Sequence, residues 1–525
     1  MRTSQGRERA GIIAAIGVLT LCCAMGQAWA AGELLWTRLN PATDVNLYSI
    51  AHVAVDLAGN MIVVTTDIEI VGGIWNYRDY VTVKYDAQGN KLWMRSYNGP
   101  AGRVDIAAAV AVDASLNVLV TGMSSDGISG EPSDIATIKY DPDGNVLWVA
   151  RYRNLANGVN SGNAIAVDGA GNVYVAGGSD TFHSAGCPSS LGTQDFVTIK
   201  YGPQGGAPLW VRTYDGPGAR LIHPSRGYPG CSPCPSIPPF PELVPGWDSA
   251  TALVLDAYGN VLVTGSSQGV PSAGCTGTIY ADANDCNGTP VPEDCNPRMD
   301  YATVKYTSDG QELWAQRYDG PAHLDDSVRG MAVDAAGNVF VIGKSWSSAT
   351  GDDYVTVKYS ASGAQQWVRT YAGNGGNRSD WPTAIAVDGA GRVTVTGSIE
   401  GTSHKTCISP DQTRDIATVQ YDGNGNVRWV QVQSASGKCT GDYGYGLATD
   451  ANANVIVVGK LGGGSFSQTG DYGIIKYNSS GTLQWLKTYL YGKATGVAIG
   501  SAGHVHVAGP PLQPGSGLRA LKYNP

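Results

Sequence analysis

Apolar and polar residues alternate in short segments along most of the chain, and these segments recur in sets of four. One set reads "AIAVD" from Ala164, "NVYVAG" from Asn172, "DFVTIKY" from Asp195 and "LWVRTY" from Leu209. Alternation with a period of two, rich in valine, threonine and aromatic residues, is typical of β-strands. Each set therefore predicts four short strands.

Two of the connections within a set have the composition of tight turns. "DGAGN" from Asp168 joins a first segment to a second, and "DAQGN" from Asp86 joins a third segment to a fourth. Asp and Asn side chains cap turns, and Gly supplies positive φ, so both connections predict β-hairpins.

The number of sets follows from residues that recur once in each. The fourth segments contain Trp36, Trp93, Trp148, Trp210, Trp314, Trp367, Trp429 and Trp485. The third segments end at Tyr85, Tyr140, Tyr201, Tyr306, Tyr359, Tyr421, Tyr477 and Tyr523, with Gln420 in place of the usual lysine in the sixth. The first segments end at Asp56, Asp113, Asp168, Asp256, Asp334, Asp388 and Asp450, with a degraded last copy at Ile499 and Gly500. These counts predict an all-β fold, an eight-bladed β-propeller of four-stranded antiparallel blades, with seven blades as the alternative.

The phase of the repeat predicts how the ring closes. By similarity to other propellers, the first strand of each blade should line the channel and the fourth should lie outermost. The chain then has an unpaired outer strand at 34–40, and its last blade stops after a third strand at 518–523. We expect residues 34–40 to pair with residues 518–523 and to complete that blade.

The repeat unit also resembles a known family. "DYATVKYTSDGQELWAQRYDGP" from Asp300 and "GMAVDAAGNVFVIG" from Gly330 are similar to the units of SBBP-type β-propeller repeat proteins of bacteria. The resemblance covers nearly all of the chain after residue 30. It implies the propeller fold and specifies no activity.

The first thirty residues are predicted to be an export signal. Arg2, Arg7 and Arg9 precede an apolar run, and "AWA" at 28–30 offers small residues for cleavage. Leu21 stands where a small residue would precede a lipid-modified Cys22, which argues against a lipid anchor. We therefore expect a secreted or periplasmic protein in which residues 31–525 form one propeller domain.

The charge and the hydropathy of the chain argue against a nucleic-acid partner and against a membrane-spanning segment. Without residues 1–30, which hold three Arg and one Glu, the formal charge changes from −9 to −11, and this argues against nucleic acid. No second apolar segment is long enough to span a membrane, so no transmembrane segment is expected after signal removal.

Eight cysteines follow the signal, and an even number in an exported chain favours disulfides. They are Cys187, Cys231, Cys234, Cys275, Cys286, Cys295, Cys407 and Cys439. A metal site at "CSPC" (231–234) is the alternative. The connectivity stays open, with Cys407 to Cys439 as the first pairing to test because both flank blade six.

Strand direction alternates within a blade, so every long connection should emerge at one end of the propeller, which we call the long-loop face. The long connections are 67–78, 178–194, 215–248, 266–299 and 398–414, of which 215–248 and 266–299 are the largest insertions. The proline content of residues 215–248 disfavours regular structure in that segment. Long loops on a rigid scaffold commonly carry binding.

Candidate chemistry is sparse in this sequence. The oxygen-rich segment 280–294 suits calcium in composition, but its spacing is not that of an EF-hand, so a solvated acidic loop is preferred. The recurring Asp and Lys of the third strand are read as structural, with the Lys stem covering apolar surface. Likewise, the tryptophans are expected to pack between blades. His504 and His506 share one side of a strand without a third ligand. No catalytic, cofactor-binding or metal-binding residue is assigned.

The sequence thus favours an exported scaffold that binds protein or glycan through its long-loop face. The alternative is an enzyme, a hydrolase or a quinone-dependent oxidoreductase, with its site at the channel mouth. A tryptophan after "DxxGN" is similar to the docking repeats of quinone-dependent dehydrogenases, but this chain carries "GN" where that pattern has "TGK".

Overall fold

The structure is a computed structural model of the 525-residue chain. It describes residues 31–40, 51–71, 74–126, 132–154, 158–182, 193–217, 219–222, 242–245, 248–269, 298–373, 379–401, 414–434, 441–462, 470–489, 491–511 and 518–525. Over these residues the chain forms strands and turns and contains no helix. No helix in this part of the chain is therefore long and apolar enough to cross a bilayer.

Eight four-stranded antiparallel sheets form the blades, and the strands of seven blades follow one another in the sequence. Blades one to four contain β2 (His52–Val55), β3 (Met61–Val71), β4 (Ile74–Tyr85), β5 (Lys91–Tyr97); β6 (Asp105–Val112), β7 (Val118–Ser125), β8 (Ser133–Tyr140), β9 (Val146–Tyr152); β10 (Asn160–Val167), β11 (Val173–Phe182), β12 (Thr193–Tyr201), β13 (Trp210–Tyr214); β16 (Asp248–Leu255), β17 (Val261–Gln268), β18 (Met299–Tyr306), β19 (Glu312–Tyr318). Blades five to seven contain β20 (Ser327–Val333), β21 (Val339–Ser347), β22 (Gly351–Tyr359), β23 (Gln365–Tyr371); β24 (Trp381–Val387), β25 (Val393–Glu400), β26 (Arg414–Tyr421), β27 (Val427–Gln433); β28 (Tyr443–Thr449), β29 (Val455–Leu461), β30 (Asp471–Tyr477), β31 (Leu483–Tyr489).

Blade eight is assembled from both ends of the chain. Its first three strands are β32 (Gly496–Ile499), β33 (Val505–Gly509) and β34 (Leu518–Tyr523), and its fourth is β1 (Leu34–Asn40). The ladder runs antiparallel from Leu34 opposite Tyr523 to Asn40 opposite Leu518. The predicted eight blades and the predicted closure are both confirmed, and seven blades are ruled out.

The first strand of each blade contacts the first strands of both neighbouring blades, so these eight strands line the channel as predicted. The second and third strands lie in the middle of each sheet, where both faces are covered. All eight residues of β8 are buried, for example, whereas the outer strand β9 has a single buried residue and is otherwise exposed or half-buried. The core therefore consists of eight apolar layers, each shared by two adjacent blades.

Each repeat tryptophan packs against the next blade, as the sequence predicts. The Trp93 indole N–H donates to the Pro142 carbonyl at 2.8 Å, and its ring covers Gly144 (φ 83°), where a Cβ would come within 2.7 Å of the ring. Arg95 Nε donates to the Gly144 carbonyl at 2.7 Å. The other ring and glycine pairs are Trp36 with Gly89, Trp148 with Gly205, Trp210 with Gly310, Trp314 with Gly363, Trp367 with Gly425, Trp429 with Gly481 and Trp485 with Gly32.

The hairpin between the first and second strands is held by its Asp. In blade one, Asp56 Oδ1 accepts the N–H groups of Ala58 and Asn60 at 3.0 and 2.8 Å, and Oδ2 accepts Asn60 Nδ2 at 2.8 Å. Lys84 of the third strand then lies 3.1 Å from the same Oδ2, and both side chains are buried. Equivalent ion pairs join Lys139 to Asp113, Lys305 to Asp256 and Lys476 to Asp450.

The structural role predicted for the lysine is thus confirmed in these four blades, and the ion pair of its ammonium group with a buried carboxylate is a contact that the sequence did not predict. Where the second strand has an aromatic residue opposite the lysine, the contact changes. Lys200 stacks on Tyr174 at 5.0 Å and Lys358 on Phe340 at 5.3 Å, and each ammonium bonds a carbonyl of the next blade.

Two of the predicted long connections contain regular structure. Residues 67–71 and 74–78 extend β3 and β4 into a longer hairpin, with Ile68 opposite Tyr77. Within 215–248, the strands β14 (Ala219–Ile222) and β15 (Glu242–Pro245) form a separate two-stranded ribbon. The expectation of irregular structure throughout 215–248 is therefore wrong. The β-rich sequences "ARLI" and "ELVP" at its two ends pair despite the prolines between them.

Candidate binding site at the channel mouth

The cysteines and the acidic segment proposed for calcium lie outside the described residues. This holds for Cys187, Cys231, Cys234, Cys275, Cys286, Cys295, Cys407 and Cys439, for the suggested pairing of Cys407 with Cys439, and for residues 280–294. Disulfide formation and calcium binding at these positions remain predictions.

The start of each channel-lining strand lies on the long-loop face, because it follows the connection between blades. Six of these strands carry a β-bulge two or three residues after they begin. A bulge adds one residue and redirects its side chain. The added residues are Ala108, Asn163, Thr251, Arg329, Thr383 and Tyr445. The channel mouth is therefore a ring of equivalent positions that differ in chemistry from blade to blade.

Blades five to eight contribute aromatic and cationic side chains to this ring. At one equivalent position, blades six, seven and eight have Trp381, Tyr443 and Lys493. Blades three, four and five have a serine there, at 161, 249 and 327. We call the following residues the mouth cluster: Arg329, Trp381, Arg414, Tyr443, Tyr445, Lys460 and Lys493. Our reading of the sequence missed them. Comparing the eight copies with one another would have found them, because these positions depart from the repeat while their neighbours do not.

In blade six the cluster is built around an exposed indole. Trp381 begins β24 and is 38% exposed, a large value for a tryptophan in a strand. The Arg414 guanidinium lies 4.0 Å from the centre of its ring, and Arg414 Nη1 donates to the Ser379 carbonyl at 2.9 Å. A cation over the ring face is a favourable contact that also fixes the indole in place.

Blades seven and eight supply two lysines and two tyrosines. Tyr443 and Tyr445 stack with their centroids 6.2 Å apart and their planes 8° apart. Lys460 Nζ lies 5.7 Å from the centre of the Tyr443 ring. Burial first, and then the neighbouring charge of Lys493, lower the pKa of Lys460 to about 8, although Asp442 acts in the opposite direction. Burial alone lowers the pKa of Lys493.

The channel next to the cluster contains a cavity of about 280 Å³. Its wall is formed by the first strands of blades one, two, six, seven and eight, mostly by small residues such as Ala384, Gly446 and Thr495. His52 also lines the cavity, and burial lowers its pKa to about 4, so its imidazole is neutral at physiological pH. A small group that enters at the mouth therefore has space below it.

Two groups of three carboxylates also lie on the long-loop face, at the junctions of blades three and four and of blades four and five. In each group the three carboxylates lie within 4.8 Å of one another. The members are Asp195, Asp215 and Asp248, and Asp300, Asp319 and Asp326. Backbone amides and an arginine already bind them: the Gly216 N–H donates to Asp248 at 2.6 Å, and Arg317 donates to Asp300 at 2.7 Å. These carboxylates therefore cap the backbone at the junctions between blades.

The buried Asp326 makes the fold sensitive to pH. Burial raises its pKa from the ordinary 3.8 to about 7, with Asp300 and Asp319 adding to the shift and the Ser345 and Gly320 hydrogen bonds opposing it. The folded state thus binds this proton more tightly than the unfolded chain. Its contribution to stability is complete below about pH 3.8 and is lost as the pH rises through about 7.

We expect Asp326→Asn to flatten this dependence. The amide oxygen can still accept the Gly320 N–H, but no charge is buried at high pH. Melting temperatures from pH 4 to pH 8 should fall less for Asp326→Asn than for the parent protein, by an amount that corresponds to at most roughly 4 kcal/mol. The exposed Asp143→Asn is the control and should follow the parent. Superimposable curves for Asp326→Asn and the parent would contradict the assignment.

The two histidines noted in the sequence do not form a metal site among the described residues. His506 lies in β33 and is buried, and burial together with Lys522 and His504 lowers its pKa to about 3. His504 lies in the preceding turn and is half-buried. His506 lies opposite Lys522, at the second-strand position that Tyr174 and Phe340 occupy in blades three and five, so it belongs to the framework.

Comparisons with known proteins agree with the fold. No family model matches the chain. Over 136 residues it is 31% identical to an uncharacterized WD repeat-containing protein of Acanthamoeba polyphaga mimivirus, a match that covers 23% of this chain and 9% of that protein. The Dos1 propeller aligns over 94% of this chain and 95% of its own, with a TM-score of 0.51 and 9% identity. The WD40 propeller domain of Doa1 aligns over 79% and 92%, with a TM-score of 0.37 and 12% identity.

At these identities the similarity shows the fold alone. The chain is an eight-bladed β-propeller, as the similarity to the Dos1 propeller also indicates. The finer resemblance to SBBP-type repeats remains a prediction.

Proposed function

We propose that this protein is an exported binding scaffold that engages a protein or a glycan through its long-loop face, at the channel mouth. One observation carries the proposal. At one repeat position on this face, the serines of blades three to five are replaced by aromatic or cationic residues in blades six to eight, and Trp381, which is 38% exposed, is the clearest case. Exposed aromatic residues and arginine are enriched where proteins bind partners.

An enzyme with its site at the channel mouth is the second candidate, and the raised pKa of Asp326 is the observation that favours it. However, burial also raises the pKa values of Asp105, Asp248 and Asp380 at the equivalent position of other blades. In each case a glycine N–H from the preceding connection donates to the carboxylate. A shift that recurs at four junctions fits a structural cap better than a catalytic acid, so binding is the preferred function.

The test uses protein recovered from the medium or the periplasm, whose mass should correspond to a chain that begins at Ala31. Labelled protein is applied to a printed glycan array, and to cells before and after protease or periodate treatment. We expect saturable binding that one of the two treatments abolishes. Trp381→Ala combined with Arg329→Glu should reduce it about tenfold or more, since each change removes an exposed contact at the mouth.

A matched pair of changes on the opposite face is the control. Leu57 and Tyr258 are exposed in the hairpins between first and second strands, so Leu57→Glu with Tyr258→Ala should leave binding unchanged. The proposal fails if the hairpin-face pair abolishes binding and the mouth pair does not. It also fails if the protein binds neither the glycan array nor the cells and instead catalyses a reaction. That reaction would be hydrolysis of an ester or a lactone, or oxidation of an alcohol with an added quinone.

A further inference from the structure

We propose that the mouth cluster on blades six to eight binds an acidic saccharide, with a sugar ring on Trp381 and a carboxylate at Lys493. This inference rests on the proposed binding role of the long-loop face and names the ligand class for it.

Lys493 supplies the site for the negative charge. The Ala494 N–H donates to the Gly459 carbonyl at 3.0 Å, which places Lys493 beside Lys460 at the junction of blades seven and eight. Among the described residues no carboxylate lies within salt-bridge distance of Lys493, and burial lowers its pKa. A half-buried ammonium group without a counter-charge is costly. An anionic ligand would offset that cost.

Blade five shows how the propeller neutralises such a lysine when no ligand is involved. Lys344 occupies the position equivalent to Lys460, and its ammonium group bonds Asp352 at 2.9 Å. The residue equivalent to Asp352 in blade seven is Gly470, which packs against the Lys460 side chain. In blade seven the sequence thus omits that aspartate, and in blade eight it adds Lys493. Lys460 has other contacts, so the added charge that a ligand would meet is that of Lys493.

The carboxylates closest to this junction are committed to the backbone. Asp442 Oδ1 accepts the Gly462 N–H at 2.6 Å, and Asp471 Oδ1 accepts the Tyr491 N–H at 3.0 Å. These aspartates cap strand ends, as their equivalents do in other blades. Their hydrogen bonds keep them in place as a ligand carboxylate approaches the lysines.

Trp381 provides the platform for a ring. Arg414 covers one region of the indole at 4.0 Å, yet 38% of the side chain remains exposed. The π-face of an indole is electron-rich and attracts the polarised C–H groups of a sugar ring. The Thr383 hydroxyl donates to the Gly444 carbonyl at 2.9 Å, and this bond ties the strand of Trp381 to that of Tyr443 and Tyr445. The indole and the lysines therefore belong to one rigid rim.

An acidic peptide is the other ligand that cations would attract, but its acidic side chains carry no apolar ring face that could stack on the indole. An acidic oligosaccharide combines apolar ring faces with carboxylates, so one sugar unit can stack on Trp381 of blade six while another presents its carboxylate to Lys493 of blade eight. The cavity of about 280 Å³ below the rim leaves room for a substituent of that ring.

Titration calorimetry with tetragalacturonate tests the proposal on the full mature chain. We expect binding that weakens when the salt concentration is raised from about 50 to about 300 mM, because charge contributes. Trp381→Ala and Lys493→Gln should each raise the Kd roughly tenfold, whereas Lys493→Arg should retain most of the affinity. Tyr258→Ala and Arg103→Gln, which alter an aromatic and a cation away from the cluster, should have no effect. Melting curves confirm that each variant is folded.

Other probes separate this proposal from the broader one. Equal binding of poly-glutamate would overturn the saccharide assignment in favour of an acidic peptide. Binding of neutral cellotetraose that depends on Trp381 but not on Lys493 would overturn the acidic ligand while leaving the long-loop face as the binding face. Tetragalacturonate binding that no mouth variant alters would overturn both. Absence of tetragalacturonate binding, with intact binding of another array glycan at the mouth, would overturn this inference alone.

Discussion

A chain that lacks residues 31–42 is expected to melt at a temperature at least about 5 °C below that of the mature protein. The deletion removes β1 and exposes the edge of β34. Loss of the Trp36 side chain alone should cost roughly 3–5 kcal/mol. Each kcal/mol corresponds to roughly 1 °C for a cooperative domain of this size, because the entropy of unfolding grows with chain length. The lost strand pairing adds to this effect, and the free edge invites aggregation.

The geometry at the closure explains why the effect should be so large. The Gly32 N–H donates to the Asn524 carbonyl at 3.2 Å, and the Asn524 N–H donates to the Glu33 carbonyl at 2.9 Å, so two chain ends reproduce a hairpin without a covalent turn. Gly32 lies under the Trp485 ring as hairpin glycines do in other blades. Trp36 bonds the Ala87 carbonyl of blade one at 3.1 Å. One strand therefore joins blades seven, eight and one.

Differential scanning calorimetry of the truncated and mature chains measures this directly. A synthetic peptide of residues 31–42, added in excess, should restore much of the lost melting temperature by pairing with β34. The same peptide with Trp36→Ala should restore little. Equal melting temperatures for the truncated and mature chains would show that blade eight does not depend on β1.

Most of the fold could be predicted because the chain contains eight copies of the blade sequence. The recurrence of Trp93 and its equivalents fixed the number of blades, and the position of Trp36 ahead of any first strand indicated the closure. An incomplete repeat at each end is a strong signal, since a ring leaves one vacancy for one spare strand.

Contacts between strands that are not neighbours could not be predicted in the same way. Asp56 and Lys84 each recur at a fixed position of the repeat. Their ion pair, however, forms only because the first and third strands present the two side chains to the same side of the sheet. The hairpin of β3 and β4 did have a signal in "IEIV" and "IWNY" around Gly72 and Gly73, which alternation should have identified.

The mouth cluster was missed for a different reason. A strand pattern shows which residues alternate, but it does not show where a bulge redirects one of them toward the channel. Arg329 and Tyr445 are bulge residues, and no periodicity marks them. Their departure from the other copies was visible in the sequence, whereas their position on the same face as Trp381 and Lys493 follows only from the ring.

Replacement of one buried aspartate in the repeat should have the second-largest effect. Asp56→Ala leaves the ammonium group of Lys84 buried without its carboxylate, since the two side chains are 0% and 2% exposed and 3.1 Å apart. Breaking a buried pair from one side costs roughly 3–5 kcal/mol. The three hydrogen bonds that Asp56 accepts from its hairpin are lost as well, so we expect a fall in the urea midpoint that is large for a single substitution.

Asp86 in the same blade separates the two contributions. Its carboxylate accepts the same three hydrogen bonds, from Gln88 N, Asn90 N and Asn90 Nδ2 at 2.8 to 2.9 Å. This hairpin is exposed, however, and Lys522 of the neighbouring blade donates to its Ala87 carbonyl. Asp86→Ala should therefore cost only about 1 kcal/mol. Asp56→Ala with Lys84→Met removes both charges and should recover part of the loss, because blade six manages with Gln420 at the lysine position. If Asp56→Ala and Asp86→Ala shift the urea midpoint equally, the turn holds the blade together and the ion pair contributes nothing.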